Sequence, residues 1–341
     1  MRCAGWHSRN LIGSWCLCVF AICLNVADLS RSAFAEESRV SIEPRAKTRG
    51  SAERSGADQT SANIRVDSEL VLIPVTVTDG MNRFVTGLDK DHFRLYEDKV
   101  EQIITHFAAE DAPISVGLVF DCSGSMGDKL QKSREAVAQL LKTANTDDEF
   151  FLVEFNDRAE IVVGLTKQSE EIQNRLTFTQ SKGRTALLDA IVLSMNEMRK
   201  AHNPRKALVI ISDGGDNSSR YTVSEVKNRV READVQIYAI GIIELFADRG
   251  RTPEEFAGPG LLNDIAEQTG GRSFESGNLN HLPDIAAKIG DALRNQYVLG
   301  YAPSTVRRDG KYHRVKLKLV KPKGWPSLRA YWRLGYYAPA Q

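Results

Sequence analysis

The chain has 341 residues, 42% of them hydrophobic and 26% charged, which is enough for two folded units with real cores and too apolar for disorder throughout. A formal net charge of +1 gives no electrostatic reason to expect nucleic acid or another polyanion as partner.

The N-terminus reads as a targeting segment. Arg2 and Arg9 precede a mostly apolar run from Leu11 to Val26, and Ala33-Phe34-Ala35 forms a small-residue cleavage pattern before Glu36. The run is short and broken by Gly13, Ser14 and Asn25, so a cleaved signal peptide over 1–35 is favoured over a retained membrane anchor. Lipid attachment at Cys23 is disfavoured by the bulky Ile22 before it. The expected location is periplasmic or extracellular. Cleavage removes Cys3, Cys16, Cys18 and Cys23 and leaves Cys122 alone, so no internal disulfide is expected despite export.

Residues 36–65 are polar and aperiodic and read as a disordered linker. Residues 66–112 read as β structure. Val71, Ile73, Val75 and Val77 alternate, Pro74 points to an edge or a bulge, and Phe93–Tyr96 and Ile103–Phe107 flank Glu97-Asp98-Lys99 as a hairpin. So small a β piece without a disulfide is marginal alone and must pack on something else. Residues 113–296 alternate strand and helix. The strands are expected at 114–120, 150–155, 160–165, 207–211, 235–242 and 272–275, and the helices at 129–144, 169–176, 185–200, 223–233, 261–268 and 282–295. Ala207–Ile211 is continuously apolar, as a parallel strand covered on both faces requires. The fold class is therefore α/β, a doubly wound and mostly parallel sheet. Residues 297–341 return to β, with strands at 297–301, 313–319 and 330–336. The two β pieces are expected to form one sandwich, with the α/β unit inserted between them.

Three segments carry the candidate chemistry. Asp121, Ser123 and Ser125 leave the first α/β strand at its carboxyl end, Ser212-Asp213-Gly214 leaves the Ala207–Ile211 strand at the same edge, and Gly183-Arg184-Thr185 opens a helix. Ligands of open α/β sheets bind at that edge, where strand order reverses. Hydroxyls of Ser123, Ser125 and Thr185 with carboxylates of Asp121 and Asp213 form a hard-oxygen set suited to Mg²⁺, with Mn²⁺ or Ca²⁺ as alternatives. A cation held mainly by hydroxyls and water stays electron-poor and favours an added anionic ligand. Taken singly, the three segments read as a turn, a helix cap and a turn. At one edge and in this order they read as a single metal site.

Asp121-x-Ser123-x-Ser125, then Thr185, then Asp213 resembles the metal-ion-dependent adhesion site of the von Willebrand factor A superfamily, and also the integrin inserted domain. The resemblance spans roughly 113–296 and implies a Rossmann-like fold. The flanks, with Leu72–Val77, Phe93–Asp98 and Tyr297–Tyr301, resemble exported bacterial proteins of the same superfamily. It implies that Ser123, Ser125 and Thr185 bind metal directly, that Asp121 and Asp213 often act through water, and that the function is adhesion to a protein partner's Asp or Glu rather than catalysis. Arg184 stands where glycine is frequent, either weakening metal binding or clamping an incoming carboxylate. Cys122 is unusual between ligand positions and is expected to face the core. Two other readings stay open: a scaffold whose metal site is retired, and an enzyme using Cys122 as nucleophile. Against the enzyme, no histidine lies in the three segments and no Gly-rich phosphate loop with a lysine is present.

Overall fold

The computed structural model describes residues 70–109, 111–243, 253–304, 309–322 and 324–340. The signal peptide, the linker and Cys3, Cys16, Cys18 and Cys23 lie outside the described residues. In chain order the elements are β1 (Val71–Asp79), β2 (Phe93–Glu97), β3 (Val100–Gln102), β4 (Ile104–Ala108), β5 (Ile114–Asp121), α1 (Leu130–Leu141), β6 (Glu149–Phe155), β7 (Ala159–Thr166), α2 (Ser169–Thr177) and α3 (Leu187–Met198). There follow β8 (Arg205–Ser212), α4 (Val223–Glu232), β9 (Gln236–Ile242), α5 (Pro253–Thr269), β10 (Ser273–Ser276), α6 (Leu282–Arg294), β11 (Gln296–Tyr301), β12 (Tyr312–Leu319), β13 (Leu328–Trp332) and β14 (Gly335–Tyr337).

The central sheet has the order β10-β9-β8-β5-β6-β7, parallel throughout except for the antiparallel edge strand β7. Along β5, Ile114, Val116, Leu118 and Phe120 face one core with α1, α2 and α6, while Val119 faces the other with α3, α4 and α5. β8 divides likewise, with Ala207, Val209 and Ile211 on the first face and Leu208 and Ile210 on the second. Each such aliphatic side chain contributes roughly 1.5–3 kcal/mol on burial, so a two-faced apolar strand has one stable place, the middle of a covered sheet. β5 continues to β6 on one side, and β8 and β9 lie on the other, so strand order reverses between β5 and β8. No helix among the described residues is long and apolar enough to cross a membrane.

The flanking pieces form two four-stranded sheets, β13-β1-β11-β4 and β14-β12-β2-β3, around a shared core of Ile73, Val75, Phe93, Leu95, Tyr297 and Leu317 among others. Each sheet mixes strands from before and after the α/β unit, as β1 with β11 and β2 with β12.

Four expectations change. β1 is an interior strand, but β13 pairs with it only from Val75 onward, so Pro74 has a partner, Val298, on one side alone and its missing N–H breaks no ladder. β2 pairs with β3, not with 104–108; the chain breaks at Ile103, 81% exposed, and β4 joins the other sheet against β11. The stretch 330–336 is likewise two strands in different sheets. The helix expected at 261–268 begins at Pro253 and runs through Pro259. Gly258, Pro259 and Gly260 read as breakers in sequence, but Gly258 packs directly against the Gly214 backbone.

Candidate functional site

The switch point is where the three candidate segments meet. Cys122 N–H donates to Phe155 O at 2.9 Å, so β5 pairs with β6 to its last residue, and a 3₁₀ turn over Gly124–Lys129 then leads into α1. Lys182 N–H donates to Cys122 O and Gly124 N–H to Gly183 O, both at 2.9 Å, which stitches the 182–185 segment to the serine loop. Asn217 and Ser218 N–H both donate to Thr185 O, and Thr185 N–H donates to Asn217 Oδ1 at 2.9 Å, which stitches the same segment to the loop after β8.

Ser123 Oγ and Ser125 Oγ lie 3.1 Å apart, the first buried and the second exposed. Asp121 is 0% exposed behind them. Its Oδ1 accepts the Ser123 N–H at 2.8 Å and its Oδ2 accepts the Ser212 hydroxyl at 2.6 Å. Burial, and then the nearby Asp213 carboxylate, push the Asp121 carboxyl up to about 7 despite those donors. Thr185 is buried and lies two residues before α3, whose N-cap is Ala186. Thr185 is therefore not that helix's cap, and its conformation belongs to the loop.

Asp213 Oδ2 accepts from Lys129 Nζ at 3.0 Å, both side chains largely buried. Sequence reasoning passed over Lys129. The signal was its place six residues after Ser123, where the 3₁₀ turn returns the chain beside the β8 loop. Ser212 reads in sequence only as part of a turn, yet its hydroxyl joins Asp121 to the Gly214 N–H, which it accepts at 3.0 Å. Asp216 supports α3: its Oδ1 accepts the Leu188 N–H at 3.2 Å and the Ser219 hydroxyl. Asp216→Ala is expected to cost about 1 kcal/mol in thermal unfolding, the usual loss for a helix-start acceptor, with metal titration little changed.

Arg184 is exposed and turns its guanidinium to Asn217 O, while its N–H donates to Asp157 Oδ1 at 2.8 Å. Cys122 is 4% exposed, its thiol donates to Phe155 O at 3.2 Å, and burial pushes its pKa up to about 12. A thiol so placed is protonated at neutral pH and is a poor nucleophile.

The donor set passes a test for a hard divalent cation. Two hydroxyls converge, the buried Asp121 carboxylate stands behind them, and burial and then the like-charged Asp213 favour its protonated form, a penalty that a cation offsets. The only cluster of three His, Cys, Asp or Glu ligand atoms among the described residues lies elsewhere, since the switch point offers hydroxyls beside its carboxylates.

An open, doubly wound α/β unit with oxygen-rich loops converging at its switch point defines the class of protein. The chain belongs to the von Willebrand factor type A domain family, whose model matches residues 115–288. Inter alpha-trypsin inhibitor, heavy chain 4, of Mus musculus is 30% identical over 146 residues, covering 38% of this chain and 16% of that protein. An uncharacterized protein of Borreliella burgdorferi is 25% identical over 181 residues, covering 47% of this chain and 53% of the relative. The match thus spans under a fifth of the heavy chain's length and about half of the bacterial relative's. A solved von Willebrand factor type A structure from Catenulispora acidiphila aligns with a TM-score of 0.46 at 14% identity, covering 80% of this chain and 74% of that one.

Proposed function

We propose that this chain is an exported binding protein that captures an acidic side chain of a protein partner through a divalent cation, Mg²⁺ first and Mn²⁺ or Ca²⁺ as alternatives. Ser123, Ser125 and Thr185 would hold the cation, with Asp121 and Asp213 behind them. The cation supplies an electrophilic point for a partner's Asp or Glu carboxylate. The observation that carries this reading is the Ser123–Ser125 hydroxyl pair, 3.1 Å apart, backed by a fully buried carboxylate at the strand switch point. Membership of the von Willebrand factor type A family supports it. Export rests on the sequence of residues 1–35 alone.

The chain's own groups prepare the site. The Ser123 N–H and Ser212 hydroxyl hold both Asp121 oxygens, so the carboxylate cannot rotate away. Lys129 holds Asp213 from within. Ser125 and Arg184 are exposed at the rim, where a partner approaches.

The test is calorimetric titration of Mg²⁺ and Mn²⁺ into wild type and Asp121→Ala. Saturable heat in wild type and none in the variant is expected, and Mg²⁺-dependent partner capture should disappear with it. Capture that survives Asp121→Ala unchanged would mean a scaffold that binds through another surface, and would sink the metal mechanism.

A further inference from the structure

The β sandwich carries a second cluster, unrelated to the switch point. β12 alternates, with His313, Val315 and Leu317 facing the core and Arg314, Lys316 and Lys318 facing solvent. Glu97 ends β2 opposite Val315, and the turn at Asp98 and Lys99, with φ of 46° and 74°, folds back beside β12. Three side chains converge there. His313 Nδ1 lies 2.8 Å from Asp98 Oδ2 and 3.7 Å from Glu97 Oε1, and the three ligand atoms lie within 4.8 Å of one another.

Each of these side chains is held from its far side. Asp309 Oδ1 takes His313 Nε2 at 3.3 Å, which leaves Nδ1 for the cluster. Tyr301 and Tyr336 hydroxyls donate to Glu97 Oε2 at 2.7 and 3.1 Å, which leaves Oε1 facing inward. The Arg314 N–H donates to Asp98 Oδ1 at 3.0 Å, and Asp98 Oδ2 faces His313 Nδ1. This is the outer-shell pattern of metal-ligating histidine and carboxylates. A cavity of about 270 Å³, lined in part by Glu97, His313 and Tyr336, adjoins the cluster and gives room for water. Ligand atoms about 2.1 Å from a tetrahedral zinc stand roughly 3.4 Å apart. The observed 2.8 and 3.7 Å from His313 Nδ1 bracket that spacing.

We propose that Glu97, Asp98 and His313 bind Zn²⁺, with water as fourth ligand, and so tie the strand before the α/β unit to the strand after it. One imidazole and two carboxylates select zinc over the Mg²⁺ suited to an all-oxygen site. Entry of the ion releases to solvent the proton that His313 Nδ1 shares with Asp98. The site is independent of the switch-point reading.

The test is equilibrium dialysis of the full chain against Zn²⁺ in excess Mg²⁺, for wild type, Asp98→Asn, His313→Gln and Asp121→Ala. Asparagine tolerates the left-handed backbone at 98, so Asp98→Asn keeps the turn if His313→Gln disturbs the core. Excess Mg²⁺ keeps zinc off the switch point, so zinc bound elsewhere is common to all four chains. Expected is one zinc fewer per chain, or affinity at least about 10-fold lower, in Asp98→Asn and His313→Gln. Asp121→Ala should match wild type, and Zn²⁺ should raise the melting temperature of wild type but not of Asp98→Asn. Equal zinc binding in wild type and Asp98→Asn would overturn the proposal and make the cluster an ion-paired latch. Loss of this zinc in Asp121→Ala would overturn it as a separate site.

Discussion

In chelator at pH 7.5, Asp121→Asn is expected to unfold at higher temperature than wild type, while its Mg²⁺ titration shows no saturable heat. The opposite signs follow from one fact. Asp121 is a fully buried carboxylate facing Asp213, and the protein without metal bears the cost of that charge. Displacement of its pKa from 3.8 to about 7 limits the gain to about 4 kcal/mol, and Lys129 beside Asp213 offsets part of it. Asparagine fits the same space: its carbonyl accepts the Ser123 N–H, and its amide donates to Ser212 Oγ, reversing the bond that Ser212 makes to Asp121. The pH dependence has a definite sign. A carboxyl that holds its proton more tightly folded than unfolded favours the fold most below about pH 4, and that advantage is lost as pH rises to about 7 and stays lost above it. Chelated wild type should therefore lose stability across that window through this group, and Asp121→Asn should not. Excess Mg²⁺ should remove the loss in wild type only. A variant no more stable than wild type at pH 7.5 in chelator would show that the Asp121 charge is already compensated without metal.

Gly258→Ala is expected to cost about 1–3 kcal/mol, the usual cost of overpacking, and to lower Mg²⁺ affinity as well. A methyl group at 258 would stand 1.9 Å from the Gly214 carbonyl oxygen and 2.2 Å from its carbonyl carbon. Both obstacles are backbone atoms, so no side chain can swing aside. Gly214 has φ +87°, a left-handed conformation that glycine adopts without strain, and it adjoins Asp213. Relief must come from moving α5 or the β8 loop, and moving the loop displaces Asp213 and the Ser212–Asp121 contact. Thermal unfolding reads the first effect and calorimetry the second. A Gly258→Ala chain with unchanged Mg²⁺ affinity would mean that α5 gives way and the loop does not.

Much of the fold is legible along the chain because its causes are local. Val116–Phe120 and Ala207–Ile211 are apolar without interruption, and only the interior of a covered parallel sheet satisfies both faces of such strands. The β12 alternation is equally direct, since Val315 and Leu317 are buried and Arg314, Lys316 and Lys318 exposed. The α5 start was not legible. Gly258-Pro259-Gly260 signals a break in any local scheme, and the reason for a small residue there is Gly214, 44 positions away in sequence.

The sequence by itself determined the class of sheet, the edge at which the candidate ligand groups emerge, and the chemical type of those groups, because strand periodicity and residue chemistry are properties of short segments. Tertiary structure alone decided what each group faces. It paired Lys129 with Asp213, joined Ser212 to Asp121, split 100–108 between two sheets, and brought His313 to Glu97 and Asp98 across more than 200 residues. Those contacts depend on where the backbone returns after long excursions. That return is set by the burial of whole faces, which no local window of sequence contains.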